Sequence, residues 1–300
     1  MFRLFCACCE SIALSVLLVS SALAQESQLS LSGVIDFHAH AGPDSRPRSV
    51  NDLEAARLAA EAGMRGLVLK NHFTLTSDRA ALVMDQIDGL EIFGGVALNR
   101  SVGGINPEAV RQMVAFAGGR GKVVWLPTFD SQFWVTREGS ENPFVPVVEN
   151  GQPVDGLEEV FSLVAEHDLV LAMGHSSPEE VLRLIPVAQA QGVERILITH
   201  VFGQDATTDQ MRQMAMAGTI MELDWLAVFS GSLSIEDYVG AIREIGAEHF
   251  LLSSDFGQAG NPTHAEGLRA FFAALRGEGV SEEAIDRMAR TNPAWLLGLD

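Results

Sequence analysis

The chain is short of cysteine, of basic residues and of long apolar runs. Its three cysteines, Cys6, Cys8 and Cys9, all precede residue 10. Everything after them lacks disulfides and thiolate ligands, so a metal site there must draw on His, Asp, Glu or Lys. Lys and Arg together number 20 against 39 Asp and Glu, a formal charge of −19. That balance argues against a nucleic-acid or anionic-membrane surface, and by itself says no more than that the chain stays soluble. The apolar stretch Ile12 to Val19 is too short to span a bilayer. With Arg3 before it and Ala22-Leu23-Ala24 after it, it reads as a secretory signal peptide, a retained membrane anchor being the alternative. The cysteines lie ahead of this stretch and make no lipoprotein cleavage site. The expected organisation is a signal peptide over residues 1–24 and one domain over 25–300, in a secreted or periplasmic protein with no membrane attachment after cleavage. Internal repeats and low-complexity linkers are also missing, and no Gly-rich dinucleotide fingerprint follows the first apolar run.

What the chain does have is a regular alternation. Short apolar runs at Gly33–Phe37, Gly66–Lys70, Leu90–Ala97, Lys122–Pro127, Leu169–Met173, Arg195–Thr199, Thr219–Leu223 and His249–Ser253 read as strands. Amphipathic segments at Val50–Ala62, Ser77–Ile87, Pro107–Ala117, from Gly156, Pro178–Ala190, Thr208–Ala217, Ser234–Ile245 and Pro262–Arg276 read as helices. Ser177-Pro178-Glu179-Glu180 and Ser234-Ile235-Glu236-Asp237 carry cap and first-turn acid signals. Eight β/α units imply a parallel (β/α)₈ barrel, a single-domain TIM barrel. The long irregular stretch Thr128–Asp155 would lie over the C-terminal face as a lid or as a surface hairpin.

In such a barrel, chemistry sits at the C-terminal strand ends. Asp36-Phe37-His38-Ala39-His40 closes the first run, His175 the fifth, His200 the sixth and Asp255 the eighth. Four imidazoles and a carboxylate would converge on one axial point. They could hold one divalent metal with groups to spare, or two sharing a water. On these residues the chain resembles the amidohydrolase superfamily of metal-dependent hydrolases, and Thr291-Asn292-Pro293-Ala294-Trp295-Leu296-Leu297-Gly298-Leu299 is similar to that family's C-terminal helix. The resemblance implies that His38, His40 and Asp255 hold a first ion. It implies that His175 and His200 hold a second, or that His200 instead polarises substrate, with Asp255 as proton shuttle. Zinc is the expected ion, one or two per chain.

The fourth run departs from the pattern. Binuclear members of the family often carry a carboxylated lysine or a glutamate there, whereas Val123-Val124-Trp125-Leu126-Pro127-Thr128 has neither, and the nearest acid, Asp130, lies past it. The second run instead ends Lys70-Asn71-His72, and Lys70 and His72 share parity. Lys70 could bridge metals, bind an anionic substrate or pair with an acid. His72 and His264 are candidate substrate-binding residues, each also readable as structural. Asp44 could orient a histidine or simply cap a turn, and His167 and His249 belong to the opposite face. Trp125, Phe129, Phe133 and Trp134 form either an apolar wall of the site or ordinary packing. The expected function is metal-assisted hydrolysis of an amide, ester, lactone or phosphoester bond in a small molecule. The alternatives are a mononuclear decarboxylase of small unsaturated acids and a non-catalytic metal- or ligand-binding barrel. No oligomeric state follows from the sequence.

Overall fold

A computed structural model describes residues 30–299. The signal-peptide expectation therefore lies outside the described residues. Among the described residues ten strands occur: β1 Ile35–Ala39, β2 Gly66–Leu69, β3 Glu91–Ala97, β4 Gly121–Trp125, β5 Val148–Glu149, β6 Gln152–Pro153, β7 Val170–Ala172, β8 Arg195–Ile198, β9 Ile220–Asp224 and β10 Phe250–Ser253. Eight of them form one parallel sheet in the order β1-β2-β3-β4-β7-β8-β9-β10, and β5 and β6 form a separate antiparallel hairpin. Ala39 bridges in parallel to Phe256 beyond β10, and the His40 N–H donates to the Phe256 carbonyl at 2.9 Å. These contacts bring the two edges together, so the expected (β/α)₈ barrel is the observed fold.

Helices follow the strands because their starts are chemically marked. Ser177 accepts from the Glu180 N–H while Glu180 accepts from the Ser177 N–H, opening the helix Pro178–Ala190. The same reciprocal cap occurs at Thr207 with Gln210, Ser234 with Asp237 and Thr263 with Glu266. Among the described residues no helix is long and apolar enough to cross a membrane.

The apolar side chains divide into two clusters. One fills the layer between sheet and helices. The other lies inside the barrel and contains Ile35, Phe37, Val68, Val123, Trp125, Val170, Leu197, Ile220 and Leu251, closed by Ala294, Leu296 and Leu297 of the last helix. The inner parity is informative. On β2 it runs Val68, then Lys70; on β9 it runs Ile220, Glu222, Asp224; on β10 it runs Leu251, Ser253, then Asp255. On β1, strict alternation after Ile35 and Phe37 would send His38 outward. The register against β2 shifts between Asp36 and Ala39, and this irregularity turns His38 and His40 to the axis.

The stretch Thr128–Asp155 is more ordered than expected. It holds a helix, Gln132–Arg137, capped by Ser131, as well as the β5–β6 hairpin. A second unanticipated helix, Trp225–Phe229, starts directly from β9.

Candidate metal centre and its cavity

Asp255 is the hub of the strand ends. Its Oδ1 lies 3.1 Å from His38 Nε2 and 3.2 Å from His40 Nε2, and its Oδ2 lies 3.8 Å from His200 Nε2. The opposite nitrogen of each ring is tied to an acceptor. His38 Nδ1 donates to Glu222 Oε1 at 2.9 Å, His40 Nδ1 to the Lys70 carbonyl at 3.0 Å, and His200 Nδ1 to Asp224 Oδ2 at 2.9 Å. These partners place a proton on Nδ1 of each ring, which leaves a bare lone pair on Nε2 wherever the ring is neutral. His200 and Asp255 both sit at positive φ, 48° and 51°, backbone that non-glycine residues seldom adopt and that here aims both side chains at one point.

The electrostatics follow from burial. Burial, reinforced by Lys70 and the neighbouring imidazoles, holds His38 well below the ordinary histidine range, and burial with Arg48 and Lys70 does the same for His40. Burial alone would also depress His200, but Asp224 and Asp255 outweigh it and push that ring up to about 9. Burial pushes Asp255 up to about 6 and Glu222 up to about 7, in both cases opposed by His200. Neutral His38 and His40 thus direct lone pairs at a carboxylate oxygen little more than 3 Å away, and His38 Nε2 has no hydrogen-bond partner. Acceptor facing acceptor is repulsive, and a shared cation makes the same geometry attractive. The donor atoms of His38, His40 and Asp255 lie within 4.8 Å of one another, as do those of His38, His200 and Glu222 and those of His200, Asp224 and Asp255. This nitrogen and oxygen set suits a divalent ion of the zinc, manganese or iron type.

The centre opens into a cavity of about 560 Å³. His40, His200, Asp224 and Asp255 face it from the barrel, and His72, His175, Phe129 and Trp134 make its aromatic side. The rings touch in sequence: His40 to His72 at 4.9 Å between centroids, His72 to Phe129 at 4.1 Å, Phe129 to Trp134 at 5.8 Å and Trp134 to His175 at 5.0 Å.

The remaining sequence candidates are placed as follows. His175 lines the cavity with its ring 5.5 Å from that of His200, both nitrogens without a partner, and belongs to none of the three donor groups. Lys70 is buried on the axis. Its Nζ has no hydrogen-bond partner, lies 5.4 Å from the Trp125 ring and does not line the cavity. Burial lowers it to about 8 against the pull of Glu222, Asp255 and Asp224. His264 is not at the cavity: it is buried behind His40, whose backbone carbonyl accepts from its Nε2 at 3.0 Å. Occupying the first turn of the helix His264–Gly277 commits it to that structural contact. Asp44 pairs with Arg48, whose Nη2 is 3.4 Å from His40 Nδ1, so it acts on that ring only at one remove. Asp130 accepts from the Arg100 N–H. Of the four aromatic candidates, Phe129 and Trp134 line the cavity, Trp125 belongs to the inner core, and Phe133 lies elsewhere.

Glu222 and Asp224 escaped the sequence reading. Their signal was two acids at strand alternation inside the apolar run Ile220-Met221-Glu222-Leu223-Asp224, a pattern that requires buried partners.

Residues 33–222 match the model of a family described as "Family of unknown function (DUF6282)". No curated protein matches the chain. Among solved structures, an amidohydrolase from Pseudomonas aeruginosa has a TM-score of 0.62 at 11% identity, covering 91% of this chain and 97% of its own. A putative 2-pyrone-4,6-dicarboxylic acid hydrolase from Pseudomonas putida has a TM-score of 0.59 at 15% identity, covering 90% and 98%. A dihydroxybenzoic acid decarboxylase from a Polaromonas species, with bound manganese and the inhibitor 2-nitroresorcinol, has a TM-score of 0.57 at 15% identity, covering 89% and 97%. At such identities the likeness establishes a shared fold. With a matched span running from just before β1 to Glu222, this chain belongs to the family DUF6282.

Proposed function

We propose that the chain is a metal-dependent enzyme that hydrolyses an amide, ester, lactone or phosphoester bond of a small molecule. The observation that carries this reading is the convergence of three imidazole Nε2 atoms on Asp255, each ring locked from behind by Glu222, the Lys70 carbonyl or Asp224. His38, His40, His200 and Asp255 would hold a divalent ion, with zinc the expected one, and His175 stands ready for a second ion or for substrate. When bound, such an ion supplies Lewis acidity and lowers the pKa of water toward neutrality. The residues do the rest. Asp255 accepts the proton of the attacking water and returns it to the leaving group. Glu222 and Asp224 keep the imidazoles from rotating. Phe129 and Trp134 wall off one side of the cavity. The proposed setting is periplasmic or secreted, after removal of the leader.

A decarboxylase is the second reading. It is favoured by the apolar inner residues of β4, Val123 and Trp125, which leave no bridging group opposite Asp255 and suit a single ion. An activity panel decides between the two. Purified protein is supplied in turn with zinc, manganese and iron, then offered lactones, esters, amides and phosphoesters beside unsaturated carboxylic acids. Bond cleavage without carbon dioxide release supports hydrolysis, carbon dioxide release supports the second reading, and no turnover with any ion contradicts both.

A further inference from the structure

Hydrogen bonding divides the histidines of the site into two kinds. His38, His40 and His200 present Nδ1 to acceptors and turn Nε2 to Asp255. His72 has the reverse arrangement. Asn99 Oδ1 accepts the backbone N–H of Thr128 at 2.8 Å and of Asp130 at 3.3 Å, which fixes the orientation of its amide. Its Nδ2 therefore donates, to the His72 carbonyl at 2.8 Å and to Thr128 Oγ1 at 2.6 Å. Thr128 Oγ1 accepts that N–H and has no other acceptor in reach among the described residues, so its hydroxyl hydrogen is satisfied only by the atom 2.8 Å away, His72 Nδ1. The His72 proton then belongs on Nε2, the nitrogen turned away from Thr128 on a ring that lines the cavity. The cavity meets a donor there in either protonation state of the ring, and a protonated Nε2 cannot ligate a metal.

A second donor lines the same cavity. The Arg46 guanidinium lies 4.2 Å from the centroid of Phe129, the same ring that His72 contacts at 4.1 Å. Arg48 and Arg137, which also line the cavity, are paired with Asp44 and Asp205, whereas Arg46 pairs with no carboxylate among the described residues.

We infer that His72 Nε2 and the Arg46 guanidinium form a subsite for a substrate carboxylate, and that the Phe129–Trp134 wall takes the flat body attached to it. The substrate class is a small planar carboxylic acid whose carboxylate is anchored at this subsite, away from the proposed metal centre. This inference rests on the small-molecule reading above and adds the anchor. A carboxylate offers two coplanar oxygens to an N–H and a guanidinium edge, and aromatic faces favour a flat partner. Thr128 and Asn99 act through His72 as positioning residues.

Benzoate is the probe, with benzamide as its neutral isostere, and binding is measured by calorimetry on the metal-supplemented protein and again after chelation. Benzoate is expected to bind at least about tenfold more tightly than benzamide, since hydrogen bonds to a charged group contribute more than neutral ones. His72→Phe and Arg46→Met should each weaken benzoate by about tenfold and leave benzamide unchanged. His72→Gln, which keeps an N–H donor, should recover most of the loss. Nitrogen NMR of histidine-labelled protein should show His72 protonated on Nε2, and Thr128→Val should erase that preference without lowering metal content. Metal content is recorded for every variant, so loss of the metal reading would show separately from loss of the anchor. The inference is overturned if benzoate does not bind the unaltered protein, or binds no better than benzamide. It is equally overturned if the affinity depends on the ion and ignores His72 and Arg46, or if His72 carries its proton on Nδ1.

Discussion

Asp255 faces three imidazoles with two oxygens, so in the proposed enzyme one side chain would both complete the ligand set and take the proton of the attacking water. Asp255→Asn keeps the size and one oxygen but removes the base. The rate should fall on the order of 10²–10⁴-fold on whichever substrate the panel finds, with an unchanged circular-dichroism spectrum and metal partly retained. The carboxylates behind the rings are tested differently. Glu222→Gln and Asp224→Asn leave the four proposed ligands in place yet loosen their orientation. Each should weaken metal affinity by about 10–100-fold in a competition titration with a chromophoric chelator. Lys70→Met should leave metal content unchanged by elemental analysis, because the Lys70 Nζ neither lines the cavity nor makes a hydrogen bond; a lower count would make Lys70 a ligand. The ligand-type residues were legible because histidine and aspartate at strand ends are costly without a partner. Glu222 and Asp224 were equally costly and equally visible, but they sit within a strand, where the eye follows the apolar pattern. His72 could be flagged by parity with Lys70, whereas its tautomer depends on Thr128 and Asn99 from other loops and has no local signature.

At the scale of elements, the site depends on how β1 meets β10. The β1 irregularity turns the two histidines inward, and Gly257 lets the next segment pass close behind His40. Gly257 has φ 121°, and a Cβ there would fall 1.7 Å from the His40 carbonyl oxygen. Gly257→Ala should therefore cost about 2 kcal/mol or more in urea unfolding and weaken metal binding together, because relief of the clash displaces His40. A loss of stability with metal affinity intact would mean that the strand junction tolerates the shift. The eight β/α units could be read from the sequence because barrel strands are apolar on both faces and their helices carry strong caps. The helix Trp225–Phe229 could not, since five residues have little helical preference of their own. It is held by Asp224, whose Oδ1 caps the Ala227 N–H while its Oδ2 holds His200. The helix Gln132–Arg137 likewise depends on contact with the rest of the barrel, Arg137 reaching the Gly203 carbonyl and Asp205.

For the whole molecule, an ion that binds only the folded chain adds to its stability by mass action, about 4 kcal/mol when present at roughly 1,000 times its Kd. For a domain of this size that corresponds to a rise in Tm on the order of 10 °C, so chelation should lower Tm by about that amount and re-addition of the ion should restore it. The leader is a matter for the intact cell: N-terminal sequencing of the exported protein should begin near Gln25, and an intact Met1 on a soluble cytoplasmic product would contradict export. The central claim is that His38, His40, His200 and Asp255 form a metal centre, and elemental analysis tests it most directly. Purified protein and the double variant His38→Ala, His40→Ala are compared after equal exposure to zinc, with folding of both verified by circular dichroism. The account predicts a stoichiometric divalent ion in the first and its loss in the second, since two of the four ligands are gone. An unaltered protein that takes up no ion, or a folded double variant that keeps the full stoichiometry, would contradict it.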